Sequence, residues 1–302
     1  MMNKWAWLLL TISCWMAAGF ALCGPRQGQA GKEAPPPVPP SRIVSMAPDL
    51  TEILFALGLD KEIVGVSQYS DYPPAAREKP RVGSFWQPNI ESIVAAKPDL
   101  VITLTTTGFD QQKRLAMRLA RMGYNNLTVK LEAIAELFEG IEQIGKATGR
   151  RQQADEVVTD IRMKLQKLSS LVRTGERVRV LWVVQREPLR VAGRDTFVNE
   201  MIELAGGENA IGPTVHKYPP IGAEQVIASG AEVIIEPDMG QQDLSAQQES
   251  AFRYWGKFEN LPAATNKRIY VIPGGAVSRL GPRLYEGIET IAKCLMPHLF
   301  ES

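Results

Sequence analysis

The sequence predicts an α/β protein of two similar lobes, each built on a mostly parallel sheet, joined by a single long rigid helix with a ligand cleft between the lobes. Three observations carry this. Residues 89–102 (NIESIVAAKPDLVI) recur at an offset of 133 as residues 222–235 (GAEQVIASGAEVII). Each copy has a polar or glycine start, a Glu, a short amphipathic helix, a break and an apolar strand. A second pair lies in the same order, since residues 51–58 (TEILFALG) resemble residues 199–206 (NEMIELAG). Strands then alternate with helices on both sides of the middle, as in parallel α/β sheets. Finally, Ala154, Val157, Val158, Ile161, Leu165, Leu168 and Val172 step by three or four. That is one face of a helix of about 20 residues, roughly 30 Å long at 1.5 Å per residue. An ordinary surface helix shows the same spacing, but α/β segments on either side favour a spine between lobes.

The chain opens with a short basic segment, an almost wholly apolar stretch over residues 5–23 and a Pro-rich stretch over 35–40. This order reads as an export signal. A retained membrane anchor has a similar length. Gly28-Gln29-Ala30 fits the end of a cleaved signal, and Cys23, or less well Cys14, offers a site for lipid attachment. Leu22 is larger than the residue that usually precedes such a cysteine. Residues 1–24 are therefore read as a signal or lipoprotein leader and 25–41 as a tether stiffened by proline. Residues 42–148 form the first lobe, 149–174 the interlobe helix and 175–302 the second lobe. The expected location is the periplasm or cell envelope.

The elements follow in order. A strand at 43–46 leads into a helix that Asp49 caps, with Glu52 completing a capping box and Gly58 ending it. A strand at 63–66 comes next. Asn89 caps a helix over 90–96, Pro98 separates it from a strand at 100–104, a helix spans 111–122 and a strand 127–131. Helices at 133–146 and from Arg151 form the middle. The second lobe has a strand at 178–184 and a helix at 196–204, with Gly206-Gly207 read as a helix stop. A helix from Ala223, strands at 233–235 and 269–272, and a helix over 284–295 stopped by Pro297 complete it.

Composition narrows the function. Hydrophobic content of 45% and charged content of 22% fit a packed soluble domain, and a net charge of +1 gives no pull towards nucleic acid. Two of three cysteines lie in the leader, leaving Cys294 as a buried core residue and no disulfide framework or cysteine metal site. Only His216 and His298 exist. No phosphate-binding glycine loop and no HExxH motif is present. Binding has more support than catalysis. Loops expected beyond strand ends carry Gln68-Tyr69-Ser70-Asp71-Tyr72, Gly83-Ser84-Phe85-Trp86-Gln87 and Thr105-Thr106-Thr107-Gly108-Phe109. The second lobe offers Gln185-Arg186-Glu187-Pro188, His216-Lys217-Tyr218 and residues 274–283. In open α/β sheets ligands sit beyond strand C-termini, and aromatics with a few polar groups suit a large, partly apolar ligand.

Ser70-Asp71-Tyr72-Pro73, residues 82–101 and Arg279-Leu280-Gly281-Pro282-Arg283 resemble the periplasmic cobalamin (vitamin B12) binding proteins. More broadly they resemble the helical-backbone binding proteins for cobalamin, haem and ferric siderophores that serve ABC importers. The resemblance covers Arg42 to the C-terminus. It implies a monomeric receptor, not an enzyme, that holds a corrinoid between its lobes and delivers it to an inner-membrane permease, with no cofactor and no protein-bound metal of its own. The implied ligand residues are Tyr69, Tyr72, Phe85, Trp86, Thr106, Glu187, Tyr218 and Arg279. The implied transporter-docking residues are Glu91 and Glu224, where a carboxylate in a helix's first turn is favoured by the dipole and pairs directionally with arginine. Ordinary first-turn glutamates look the same. The family's usual tryptophans are displaced or replaced at Phe85 and Tyr218, and its acidic residue and tryptophan before Arg279 are absent from Gly274-Gly275-Ala276-Val277-Ser278. Haem or a ferric siderophore stays open for that reason, with Tyr69, Tyr72, His216 or Tyr218 as possible iron ligands. A tetrapyrrole-handling α/β enzyme such as a chelatase is the alternative of another class, and it needs an acidic partner for His216 in the cleft.

Overall fold

The computed structural model describes residues 38–107, 110–172, 176–238 and 243–301. The leader with Cys14 and Cys23, the tether up to residue 37, and Gly108, Phe109 and Gly175 lie outside the described residues. Pro39–Ser302 is one compact unit holding all three apolar clusters, so it contains what it needs to fold alone.

The first lobe contains β1 (Ile43–Ser45), α1 (Pro48–Ala56), β2 (Ile63–Val66), α2 (Ile90–Ala95), β3 (Leu100–Thr105), α3 (Asp110–Arg121), β4 (Asn126–Lys130) and α4 (Ile134–Thr148). Its sheet runs β2-β1-β3-β4, all parallel. α5 (Arg151–Val172) follows, with 22 residues. The second lobe contains β5 (Val178–Arg186), β6 (Leu189–Val191), α6 (Phe197–Leu204), β7 (Gly207–Asn209), α7 (Ala223–Ala228), β8 (Val233–Asp238), α8 (Leu244–Trp255), α9 (Pro262–Thr265), β9 (Ile269–Pro273), α10 (Gly274–Val277) and α11 (Leu284–Leu295). There β7, β5, β8 and β9 are parallel neighbours, and β6 adds antiparallel to the end of β5.

Both lobes thus share one strand order: second, first, third, fourth. The repeat seen in the sequence is this shared unit. α2 and α7 each have six residues, bury Ile93 and Val226 at matching positions, and feed β3 and β8. Strands buried on both faces explain the continuous apolar runs of β3 and β8. α5 buries Ala154, Val158, Ile161, Leu168 and Val172 in a cluster that also takes core residues from both sheets. Cys294 is buried as expected, and burial pushes its thiol up to about 12.

Two expectations are corrected. α1 has no side-chain cap: Ala47 occupies the N-cap position, and Glu52 faces the other lobe. Gly206, with φ +87°, does stop α6, yet Gly207–Asn209 goes on as β7, too short and glycine-rich to show a strand pattern.

Candidate functional site

In each sheet the strand order reverses beside the first strand, so the loops beyond β1 and β3, and beyond β5 and β8, border a crevice. The loop after β2 is held from below by four buried hydroxyls. Thr51 bridges Ser45 at 2.8 Å and Ser70 at 2.9 Å, and Ser67 meets Ser70 at 2.8 Å. Arg81 donates to the carbonyls of Ser67 and Ser70 at 3.0 and 2.8 Å. With its polar groups satisfied underneath, this loop exposes Tyr69 and Tyr72 above.

A second loop presents aromatics from a tight turn. Ser84 N donates to Gln87 O, and Gln87 N to the Ser84 hydroxyl, both at 2.9 Å. Gly83 has φ +100°, and a Cβ there would lie 2.4 Å from Asn89 N, so only glycine fits. Phe85 packs on the core and meets Trp86 edge-on at 5.1 Å, while the Trp86 ring is 53% exposed.

The second lobe reaches across. Arg279 donates to Asp71 at 2.6 Å, to Glu52 at 3.4 Å and to the Tyr69 carbonyl at 3.3 Å. Arg283 makes two hydrogen bonds to the buried Glu52 carboxylate, at 2.6 and 2.9 Å, and lies 3.7 Å over the Tyr72 ring. Partial burial pushes the Asp71 carboxyl up, but Arg279 outweighs it and holds the group below the usual carboxylate range. A second bridge joins Lys217 to Glu132 at 3.3 Å. Glu132 also takes the Thr107 hydroxyl at 2.8 Å and the Thr107 backbone N–H. Burial first, and Glu132 second, raise the Tyr218 phenol above its ordinary range.

Asp49, at the start of α1, is pushed to about 6, chiefly by burial and further by Glu52, against hydrogen bonds from its own and the Leu280 N–H. The folded state therefore holds this proton to higher pH than the unfolded chain. The resulting stability is fully present below the unfolded value of 3.8 and is lost as pH rises through about 6. Asp49→Asn, which keeps an acceptor for Leu280, is expected to melt at the same temperature as the parent near pH 3.5 and progressively above it towards pH 7. A constant difference across that range in calorimetric scans would show that Asp49 does not titrate there.

The structure gathers Tyr69, Tyr72 and Arg279 into one cluster and Tyr218 into a second with Glu132. Phe85 and Trp86 share the turn. Glu187 is exposed beyond β5, next to an Arg186–Glu236 pair closed at 2.6 Å, and contacts neither cluster in the described network. The Thr106 hydroxyl is buried without a hydrogen-bond partner among the described residues. Glu91 and Glu224 are exposed in the first turns of α2 and α7. In a parallel α/β unit a helix starts at the edge where the preceding strand ends, so both lie on the cleft-side rim of their lobes. His216 is exposed, and among the described residues no carboxylate pairs with it. No group of three His, Cys, Asp or Glu among the described residues is placed to hold a metal.

The residues that sequence reasoning missed are Glu52, Asp71, Glu132 and Arg283. Two signals pointed to the first and last. Glu52 is an acid set within the apolar run of α1, which burial forces to find a cation. Arg279 and Arg283 flank a Gly-Pro turn and project together.

Residues 43–276 match the family model described as "Periplasmic binding protein". The chain belongs to the periplasmic binding protein family. The Vitamin B12-binding protein of Vibrio cholerae is 27% identical over 259 residues, spanning 86% of this chain and 90% of that one. The crystal structure of periplasmic vitamin B12 binding protein of Vibrio cholerae aligns with a TM-score of 0.74 at 26% identity, covering 88% of this chain and all of that one (100%). A periplasmic heme binding protein from Pseudomonas aeruginosa aligns with a TM-score of 0.75 at 25% identity, covering 85% and 93%. The two-lobe fold and the expected family are therefore those of this protein.

Proposed function

We propose that this family member is the substrate-binding protein of an ABC importer and captures a corrinoid, foremost cobalamin, between its lobes. One observation carries the reading: exposed Tyr69, Tyr72, Trp86 and Tyr218 sit on loops beyond strand ends in two facing lobes, with arginine and carboxylate partners among them. A flat, amide-rimmed macrocycle needs aromatic faces for its body and fixed donors and acceptors for its edge. The resemblance to vitamin B12-binding proteins supports the ligand, and the loops at Phe85, at Tyr218 and before Arg279, where the family's tryptophans are displaced or replaced, are where this chain departs from it. The rim glutamates Glu91 and Glu224 are the residues offered to the permease. The receptor works as a monomer in the cell envelope, exported by its leader and lipid-anchored if Cys23 is acylated.

Calorimetric titration with cyanocobalamin, haemin and ferric siderophores decides among ligands. Cyanocobalamin is expected to bind below about 10 μM, roughly −7 kcal/mol. Binding of haemin or a siderophore with no corrinoid binding below that level rejects the corrinoid assignment. Turnover of a tetrapyrrole substrate that His216→Ala abolishes would instead establish the enzyme.

A further inference from the structure

Gln112 is the third residue of α3 and wholly buried. Its Nε2 donates to the Phe85 carbonyl at 2.6 Å, while its Oε1 has no hydrogen-bond partner among the described residues. A buried amide that leaves an acceptor unmet is a net cost to folding; a leucine would fill the same space without it. The one bond it makes goes to the turn that carries Trp86. Within the turn Ser84 and Gln87 bond each other twice and Asn89 N donates to Val82 O, while Gln68 N, on the loop after β2, donates to Gly83 O. Gly83 O thus ties the base of the turn to the β2 loop, Phe85 O ties its tip to α3, and Phe85 meets Trp86 edge-on at 5.1 Å.

We propose that Gln112 is a positioning residue for the Trp86 stacking surface, fixing the 83–88 turn to α3 so that the indole is presented to ligand in one orientation. That it serves ligand capture rests on the reading above; that it fixes the turn does not. Among the described residues the tryptophans are Trp86, 53% exposed, and Trp182 and Trp255, at 2% and 0%. A small aqueous quencher therefore reports Trp86 selectively in protein beginning at Pro39.

The test compares the parent with Gln112→Leu, Trp86→Ala and the double variant. In ligand-free Gln112→Leu, the exposed tryptophan component is expected to lose anisotropy and gain accessibility to acrylamide, with a melting temperature equal to the parent's or higher. Cyanocobalamin affinity is expected to fall about fivefold to tenfold, the effect of one hydrogen bond. In a Trp86→Ala background the same change at Gln112 is expected to have no further effect on affinity. Unchanged anisotropy and quenching in Gln112→Leu would overturn the proposal, and so would an equal affinity loss with and without Trp86. If the parent binds no corrinoid, the ligand reading falls, and the fluorescence of ligand-free protein still decides whether Gln112 fixes the turn.

Discussion

Charge reversal at both rim positions, Glu91→Lys with Glu224→Lys, is expected to abolish uptake of labelled cobalamin while leaving its affinity for the purified protein unchanged. Both carboxylates are exposed, and neither has an ion pair within the described residues. Each stands in the first turn of a six-residue helix, where the positive end of the backbone dipole favours an anion. A partner offering arginines would gain two directional, bidentate contacts at matched points on the two lobes. Reversal does more than delete them. It sets lysine against arginine at both ends, and like charges across an interface cost several kcal/mol. The single reversals are expected to leave partial uptake. The two helices are anchored by Ile93 and Val226 underneath, so folding should be untouched. The measurement pairs uptake into whole cells or vesicles with calorimetric affinity. Loss of affinity in the double variant would place the glutamates in the ligand cleft.

The architecture was legible because its main signal was long and repeated. Two copies of a helix-strand unit, a 22-residue amphipathic helix and apolar strands bounded by proline and glycine all survive local noise. α11 was predicted to the residue, since its apolar stripe is strong and proline stops it. What stayed hidden has physical reasons. α8 buries little beyond Ala251 and Trp255, so its Gln- and Ser-rich sequence lacks a stripe to detect. β6 and β7 have three residues each, below the length at which alternation means anything. Among candidate site residues, exposed aromatics on loops stand out because nothing but a ligand or a turn explains them together. The polar partners were not. Glu52 fits a capping box by spacing, and only the folded chain brings Arg283, 231 positions away, to its carboxylate. Gln112 looked like any polar residue early in a helix, and nothing in its neighbours announces the Phe85 carbonyl.

The interlobe ion cluster gives the largest stability effect. Glu52→Ala is expected to destabilise the protein by about 3–5 kcal/mol, the usual consequence of removing one partner from a buried ion pair. The reason is the charge left behind. Glu52 has 3% of its side chain exposed, and Arg283 and Arg279 have 16% and 20%, so neither guanidinium can turn fully to water. Arg279 keeps Asp71 at 2.6 Å, whereas among the described residues Arg283 is left in contact with the face of Tyr72, a weaker partner than a carboxylate. For a domain of this size the loss corresponds to roughly 10 °C in melting temperature. The cluster also spans the lobes, so its loss should loosen them with respect to each other. A double-mutant cycle separates these effects. Arg283→Ala in the Glu52→Ala background removes the stranded cation, and the pair of changes is expected to cost clearly less than the sum of the two singles. Additive losses in thermal or urea unfolding would mean that Glu52 and Arg283 do not meet across the lobes in solution. Glu52→Gln supplies the finer reading. It keeps an acceptor for Arg283 at the same reach while removing the charge, so it is expected to fall between the parent and Glu52→Ala. If it instead matches Glu52→Ala, charge rather than hydrogen bonding is what holds the two lobes together at this point.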